Sequence, residues 1–224
     1  MIELDAVSHD FDGRPVLAGI NLSLAEQRVG IVGANGSGKS TFARLLNGLV
    51  IPKAGRVLID GLDTAHEVKA IRRKVGFVFQ NPDHQIVMPI VSEDLAFGLK
   101  ARKVPKGEIA SRIDAALAHY GLGYLRERPV HQLSGGEKQL VALSAVLVTE
   151  PEIIVFDEPT TLLDLRNRNR VAAAIAELPH QTILVSHDLD LVATCERVLM
   201  VEDGRIVADG SPGEVLRFYR GQMQ

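Results

Sequence analysis

The first part of the chain alternates apolar and polar positions. Apolar side chains fall on every second residue from Ile2 to Ala6 and again from Ile20 to Leu24, before the more apolar stretch 27–32. A period of two is typical of strands that bury one face. The N-terminal region is therefore predicted to form a small antiparallel β subdomain.

Short apolar segments then alternate with stretches of helical periodicity. The predicted strands are Arg56–Ile59, Val75–Phe79, Ile153–Phe156, Thr182–Val185 and Arg197–Val201. Strands that alternate with helices indicate a parallel sheet covered by helices. The predicted fold class is α/β with a parallel core sheet.

Between Gln80 and Glu150 the strand pattern disappears and helical patterns replace it. Ser92 is a candidate cap for a helix that runs to about Lys100, and a second helix is predicted over 107–120. This region is predicted to be an inserted helical subdomain.

Length and composition limit the possible classes of protein. At about 150 residues per domain, a chain of 224 residues gives between one and two units. We predict a single domain, 1–224, with the helical subdomain inserted at about 80–150. With 25 Lys and Arg against 28 Asp and Glu, the net charge is −3, which argues against a nucleic-acid partner bound by bulk charge.

The same sequence argues against a membrane-spanning or secreted chain. The longest apolar runs, such as Ile153–Phe156, are far below the ~20 residues that cross a bilayer. The first residues lack a basic segment followed by an apolar one, and the single Cys195 cannot form an internal disulfide. The cytoplasm is the expected compartment.

A glycine-rich segment carries the first candidate chemistry. Residues Gly33–Ser40 match the pattern G-x-x-x-x-G-K-[ST], directly after the apolar strand Val29–Val32 and at the start of a helix. In that context backbone N–H groups and Lys39 hold the phosphates of a nucleotide such as ATP, and the Ser40 hydroxyl binds Mg²⁺. The alternative is a glycine-rich turn without a ligand. The candidate nucleotide-binding residues are Gly33, Asn35, Gly36, Ser37, Gly38, Lys39, Ser40 and Thr41.

The buried strand Ile153–Phe156 ends in two acids. Asp157 is a candidate Mg²⁺ contact, and Glu158, one residue further, is a candidate base for the water that attacks a phosphate. The alternative is that both acids only cap the following helix.

A third motif, Leu133–Gln139, reads LSGGEKQ. On local physics alone, Ser134 and Glu137 form a capping box at a helix start. The segment also resembles the LSGGQ signature of ATP-binding cassette (ABC) proteins. The resemblance extends over nearly the whole chain in the family's order: phosphate loop, Gln80, signature, acidic strand, Asp164 and His187.

The resemblance implies roles for three further residues of a nucleotide-binding domain. Gln80 would contact Mg²⁺ or water and link ATP to a partner subunit, His187 would contact the γ-phosphate, and Phe11 would stack on adenine. The alternatives are a polar strand end, a structural histidine and a core aromatic residue.

The resemblance also implies a second ATPase subunit. In ABC proteins the signature completes the nucleotide site of another cassette, so one chain holds two half-sites. The residues expected to act across that interface are Ser134, Gly135, Gly136 and Glu137. The partner cassette would be an identical copy or a paralogue.

Two segments narrow the family. Residues 79–87 read FQNPDHQIV and residues 91–98 read VSEDLAFG, which resembles the A-type ATPases of energy-coupling factor (ECF) importers. That resemblance implies a membrane coupling subunit, a substrate-binding membrane subunit, and a peripheral location on the cytoplasmic face of the cell membrane. The compact length is most similar to biotin-uptake ATPases. Cobalt or nickel uptake ATPases and a non-transport ABC ATPase are the alternatives.

Two positions depart from the family pattern. Leu162 stands where a small residue usually precedes Leu-Asp, and Glu137 replaces the signature glutamine. The Leu162 side chain is expected to affect coupling between subunits, whereas the family tolerates glutamate at the signature position. Neither departure predicts an inactive protein, because every predicted phosphate and metal ligand is present.

Overall fold

The structure is a computed structural model that describes residues 1–222, and within them it contains ten strands and eight α-helices. The strands are β1 (Ile2–Phe11), β2 (Arg14–Leu24), β3 (Arg28–Val32), β4 (Ala54–Ile59), β5 (Leu62–Asp63), β6 (Val75–Val78), β7 (Ile153–Asp157), β8 (Gln181–Val185), β9 (Arg197–Glu202) and β10 (Arg205–Gly210). The helices are α1 (Lys39–Leu45), α2 (Val68–Lys74), α3 (Val91–Ala101), α4 (Lys106–His119), α5 (Gly135–Leu147), α6 (Leu165–Ala176), α7 (Leu189–Val192) and α8 (Pro212–Gln222). Short 3-10 turns lie at Pro82–His84, Gly123–Leu125 and Val130–Gln132.

The residues group into two compact units. The first contains Met1–Phe77, Glu152–Glu158 and the described residues from Pro179 onward, and the second contains Val78–Pro151 and Pro159–Leu178. Both sheets belong to the first unit, and helices α3 to α6 belong to the second. The single domain over 1–224, with a helical subdomain inserted at about 80–150, stays a prediction.

The first sheet is antiparallel, with strand order β2-β1-β4-β5. The predicted alternation fails at Ala6, which is exposed with φ +49, because a bulge shifts the register between Leu4 and Val7. Beyond the bulge, Val7 and His9 face the core. Gly55, on the neighbouring strand, has φ +74, and a Cβ there would collide with the backbone of the bulge.

The strand predicted at Arg56–Ile59 lies in this sheet as part of β4 and pairs antiparallel with β1. Its assignment to the parallel sheet was wrong. The apolar pattern identifies a strand but does not say which partner supplies its hydrogen bonds, since that choice depends on residues far away in the sequence.

The second sheet confirms the predicted α/β fold. Its order is β10-β9-β3-β8-β7-β6, with parallel pairs β3–β8, β3–β9 and β7–β8. Strand β10 was not predicted, and it closes one edge antiparallel to β9. Ile31 and Asp157 both pair with Val185. The carboxyl ends of β3 and β7 are therefore level on either side of β8, where ligands bind in open α/β sheets.

One helix of the second unit, α3, begins with a different cap residue from the one predicted. Helix α3 starts at Val91 with Ile90 in the cap position, so Ser92 is a first-turn residue and its assignment as a cap was wrong. The backbone N–H of Ser92 donates to the Arg126 carbonyl at 2.9 Å. A backbone carbonyl from a distant segment thus accepts from a first-turn N–H group that a capping side chain would accept from in other helices. The second predicted helix is confirmed as α4.

Among residues 1–222, every helix is too short or too polar to cross a bilayer.

Candidate functional site

The glycine-rich loop joins the end of β3 to the start of α1. Gly33 has φ +152 and Gly38 has φ +105, both outside the range that other residues adopt readily. A Cβ at Gly33 would collide with the Val201 carbonyl, and one at Gly38 would lie 2.6 Å from the Val16 carbonyl oxygen. Glycine at these two positions therefore lets the loop pass close to the backbone at Val201 and Val16.

Lys39 lies across this loop. Its side chain is buried, and Nζ donates to the carbonyl oxygens of Gly33 and Ala34, at 2.8 Å each. Burial lowers the pKa of Lys39, while the charges of Glu158 and Asp157 act in the opposite direction. An ammonium group taken out of water needs further negative charge nearby, which a nucleotide phosphate supplies.

A second buried group in the loop fits a phosphate. The Ser37 hydroxyl oxygen is buried without a hydrogen-bond partner within residues 1–222. Buried hydroxyl groups are nearly always hydrogen-bonded in folded proteins. Together with the N-terminus of α1, this donor makes the loop suited to phosphate oxygens.

The end of β7 meets the start of α1. The Ser40 hydroxyl donates to Asp157 Oδ1 at 2.8 Å, and Asp157 is 2% exposed. Residues 1–222 contain no cluster of three or more His, Cys, Asp and Glu side chains that would hold a metal without help. One hydroxyl and one carboxylate fit Mg²⁺, which commonly completes its shell with substrate phosphates and water.

Arg44 is a residue of this site that the sequence reasoning missed. Its guanidinium lies 3.5 Å from Asp157 Oδ2. Arg44 stands four residues after Ser40 on α1, so helical spacing places both side chains on one face. That spacing was the available signal.

Glu158 follows β7 in a left-handed backbone conformation, with φ +56. Its own N–H donates to the Val185 carbonyl at 2.9 Å, which fixes this strained residue to the end of β8. Non-glycine residues in this region cost of order 1–3 kcal/mol and cluster at functional sites. The carboxylate is buried, with 6% of the residue exposed.

His187 contacts the Glu158 carboxylate through both its backbone and its ring. The His187 backbone N–H donates to Oε2 at 3.1 Å, and ring Nε2 lies 3.2 Å from Oε1. The same ring nitrogen lies 3.0 Å from Asn35 Oδ1, in the phosphate loop. Three predicted site residues, from β7, the end of β8 and the loop, thus meet at one point.

Phe11 ends β1 and is 50% exposed. Its ring makes an edge-to-face contact with His9, with centroids 4.7 Å apart and planes at 77°. His9 is buried, and neither of its ring nitrogens has a hydrogen-bond partner in the described part of the chain. The exposed Phe11 face is available for stacking, and the sequence reasoning missed the supporting histidine.

The signature lies in the second unit, at the start of α5. Ser134 and Glu137 form the predicted capping box, with Glu137 N donating to Ser134 Oγ at 3.3 Å and Ser134 N donating to Glu137 Oε2 at 2.8 Å. A Cβ on Gly136 would collide with Asn167 of α6. Glycine therefore lets α5 begin directly against α6.

Glu137 accepts two hydroxyl hydrogen bonds. The Tyr124 hydroxyl donates to Oε1 at 2.7 Å and the Ser134 hydroxyl donates to Oε2 at 2.7 Å. These donors hold the pKa of Glu137 below its ordinary value. The signature of this chain therefore carries a negative charge where the family pattern has a neutral glutamine, and its serine hydroxyl is engaged within the motif.

The other predicted residues of the second unit surround a cleft of about 250 Å³. Gln80 and Gly135 line it together with Leu162, which is 64% exposed. Asp164 accepts from Asn167 N at 2.8 Å and caps α6. The predicted site residues therefore form two groups. The loop, Asp157, Glu158, His187 and Phe11 lie in the first unit, and Gln80 and the signature lie in the second.

Comparison with known proteins identifies the class. The protein-family model described as ABC transporter matches residues 17–161. The chain belongs to this family, and it is an ATP-hydrolysing ABC protein.

Similar proteins cover the whole chain. A putative ABC transporter ATP-binding protein of Deinococcus radiodurans is 64% identical, over 100% of this chain and 99% of its own length. The biotin transport ATP-binding protein BioM of Rhizobium etli is 47% identical, over 98% and 97%. The solved structure of cbiO1 from Clostridium perfringens, part of the ABC transporter complex cbiONQ, matches with a TM-score of 0.85 and 34% identity, over 96% of this chain and 90% of that one.

Proposed function

We propose that this chain is the ATP-binding and ATP-hydrolysing subunit of an ECF importer that takes up biotin. The observation that carries the ATPase part is the meeting of Glu158, His187 and Asn35 beside the phosphate loop. The likeness to BioM over nearly the full length of both chains supports the choice of transporter.

Binding of ATP rests on the first unit. Loop amides, the Ser37 hydroxyl and Lys39 hold the phosphates, Phe11 stacks on the adenine, and Thr41 extends the contacts along the first turn of α1. Ser40 and Asp157 would hold Mg²⁺, which would supply positive charge to the phosphates. Gln80 is a further Mg²⁺ contact that the family resemblance implies. Arg44 keeps the Asp157 carboxylate oriented toward that site.

Hydrolysis needs a base and a group that senses the γ-phosphate. The Glu158 carboxylate accepts a proton from the attacking water. His187 contacts that carboxylate through its backbone N–H and the loop through its ring, which supports a role for the ring at the terminal phosphate. Water activation and phosphate recognition are thereby linked through one residue.

A second cassette completes each site. The N-terminus of α5, with Ser134 and the amides of Gly135 and Gly136, faces the γ-phosphate held by the partner's loop. Preorganised donors of this kind contribute about 3–4 kcal/mol each in the transition state. Glu137 sets the orientation of Ser134 through the capping box. The partner is a second ATPase subunit, and we favour an identical copy.

The cargo is recognised elsewhere. The ATPase binds a membrane coupling subunit, and a separate membrane subunit selects the substrate. The chain thus works as a peripheral protein at the cytoplasmic face of the cell membrane. Biotin is the favoured cargo because BioM is 47% identical over 98% of this chain and 97% of its own length.

The test is uptake by a defined complex. The chain is co-expressed with its membrane subunits, purified through a tag on the ATPase, and placed in vesicles with ATP on the ATPase side. We expect ATP-dependent uptake of labelled biotin, and none when the ATPase is the Glu158→Gln variant. Uptake of nickel or cobalt in place of biotin would refute biotin as the cargo. Recovery of the ATPase without any membrane subunit would refute the transporter role.

A further inference from the structure

The segment Phe79–Gln85, which contains Gln80, is fastened to the signature helix α5. Four side chains make the attachment, and we refer to them together as the clamp: Asp83, Gln85, Lys138 and Gln139. All four lie in the second unit. The predicted roles of Gln80 and the signature do not use any of them.

Gln85 bridges the two segments. Its Oε1 accepts from the Phe79 backbone N–H at 3.2 Å, and its Nε2 donates to the Ala142 carbonyl of α5 at 2.7 Å. An amide side chain offers both a donor and an acceptor, so this residue type suits a bridge between one N–H and one carbonyl. A carboxylate could accept from the Phe79 N–H but could not donate to the Ala142 carbonyl.

Gln139 contacts the carbonyl group of the same residue. It is 2% exposed, and its Nε2 lies 3.4 Å from the Phe79 carbonyl oxygen. Both peptide groups of Phe79 are therefore engaged by side chains that are anchored on α5. Gln80 follows directly, so its backbone cannot shift without either breaking these bonds or carrying α5 with it.

An ion pair fixes the far end of the segment. Lys138 Nζ lies 2.6 Å from Asp83 Oδ1. Asn81 accepts from the Asp83 backbone N–H at 3.0 Å and caps the 3-10 turn that begins with buried Pro82. Each residue of the pattern N-P-D-x-Q thus either shapes the turn or attaches it to α5.

We propose that the clamp residues are positioning residues that make Gln80 and the start of α5 move as one body. A displacement of Gln80 caused by nucleotide at one site then reaches Ser134, which serves the site of the second cassette. The two sites are coupled through side chains within a single unit. This inference rests on the proposed function of Gln80 and the signature.

Charge exchange tests the ion pair in the complete chain. Asp83→Lys and Lys138→Asp each place like charges together, and the double variant restores the attraction in reverse. We expect kcat for ATP hydrolysis to fall by about 2- to 30-fold in each single variant, the range typical of residues that carry coupling. The Kd for ATP should stay within about twofold, and the double variant should recover most of the lost kcat.

Asp114→Lys is the matched control. Asp114 also forms an ion pair, with Arg126 at 2.6 Å, and its side chain is as exposed as that of Asp83, at 57%. Within residues 1–222, its ion pair with Arg126 involves neither the segment 79–85 nor α5. Its kcat should equal that of the wild type. An equal loss of kcat in this control, or no recovery of kcat in the double variant, would refute the proposed role of the clamp.

Gln85 supplies the second test. Gln85→Leu removes both hydrogen bonds, while Gln85→Glu keeps the bond from Phe79 N and loses the one to Ala142 O. We expect amide exchange at 79–80 to rise strongly in the leucine variant and less in the glutamate variant, which keeps the bond from Phe79 N, and the kcat loss to be larger for leucine. Unchanged exchange in both would overturn the proposal. This readout needs no ATP, so a wild-type chain that failed to hydrolyse ATP would refute the proposed function separately.

Discussion

Replacing Glu158 by Gln slows ATP hydrolysis by about 10²- to 10⁴-fold, the range of a lost general base, and leaves ATP affinity nearly unchanged. The amide has the shape of the carboxylate and still accepts from the His187 backbone N–H, which lies 3.1 Å from Oε2. It cannot accept a proton from water. The phosphate contacts of the loop and Lys39 do not involve this side chain directly, so binding persists.

Single-turnover phosphate release and equilibrium ATP binding measure the two effects separately. Glu152→Gln is the control, because Glu152 immediately precedes β7, is exposed, and pairs with Lys74 at 2.8 Å. The control should hydrolyse ATP at the wild-type rate. Unchanged turnover in the Glu158→Gln variant, or a parallel loss of ATP affinity, would remove Glu158 from the role of base.

Much of the nucleotide site is predictable because its parts are local in sequence. The loop needs one strand end, glycines at Gly33 and Gly38, and one helix start, all within a short segment. The capping box of Ser134 and Glu137 spans four residues, and the structure contains both of its hydrogen bonds. The geometry of such short motifs is set by their own residues and does not depend on distant parts of the chain.

The features that sequence reasoning missed depend on distant partners. The bulge at Ala6 lies against Gly55 of another strand, where a Cβ would collide with the bulge backbone. Ile90 occupies the cap position of α3 because Arg126 supplies an acceptor for the first turn. The clamp joins residues more than fifty positions apart, such as Asp83 and Lys138. A single sequence contains no signal for these pairings.

Two variants of this chain that are each defective in ATP hydrolysis regain activity when they are mixed at an ATP concentration near the wild-type Kd. Lys39→Ala removes an ammonium group from the loop, and a hydrogen bond to a charged group contributes about 1.5–3 kcal/mol, so ATP affinity falls about 10- to 100-fold. Ser134→Arg leaves the loop intact and places a bulky cation where the partner's phosphate should meet α5. Each variant alone forms dimers in which both sites are defective.

A mixed dimer contains one intact site, because the loop of the Ser134→Arg chain meets the signature of the Lys39→Ala chain. In an equal mixture about half of the dimers are mixed, and each has one working site of two, so the expected rate is about a quarter of wild type for symmetric pairing. Steady-state phosphate release against mixing ratio should peak at equal amounts, and each variant titrated with itself is the control. Since the two defects lie in different units of the chain, only a site shared between copies restores activity. A flat mixing curve with both variants folded would refute a homodimer with shared sites.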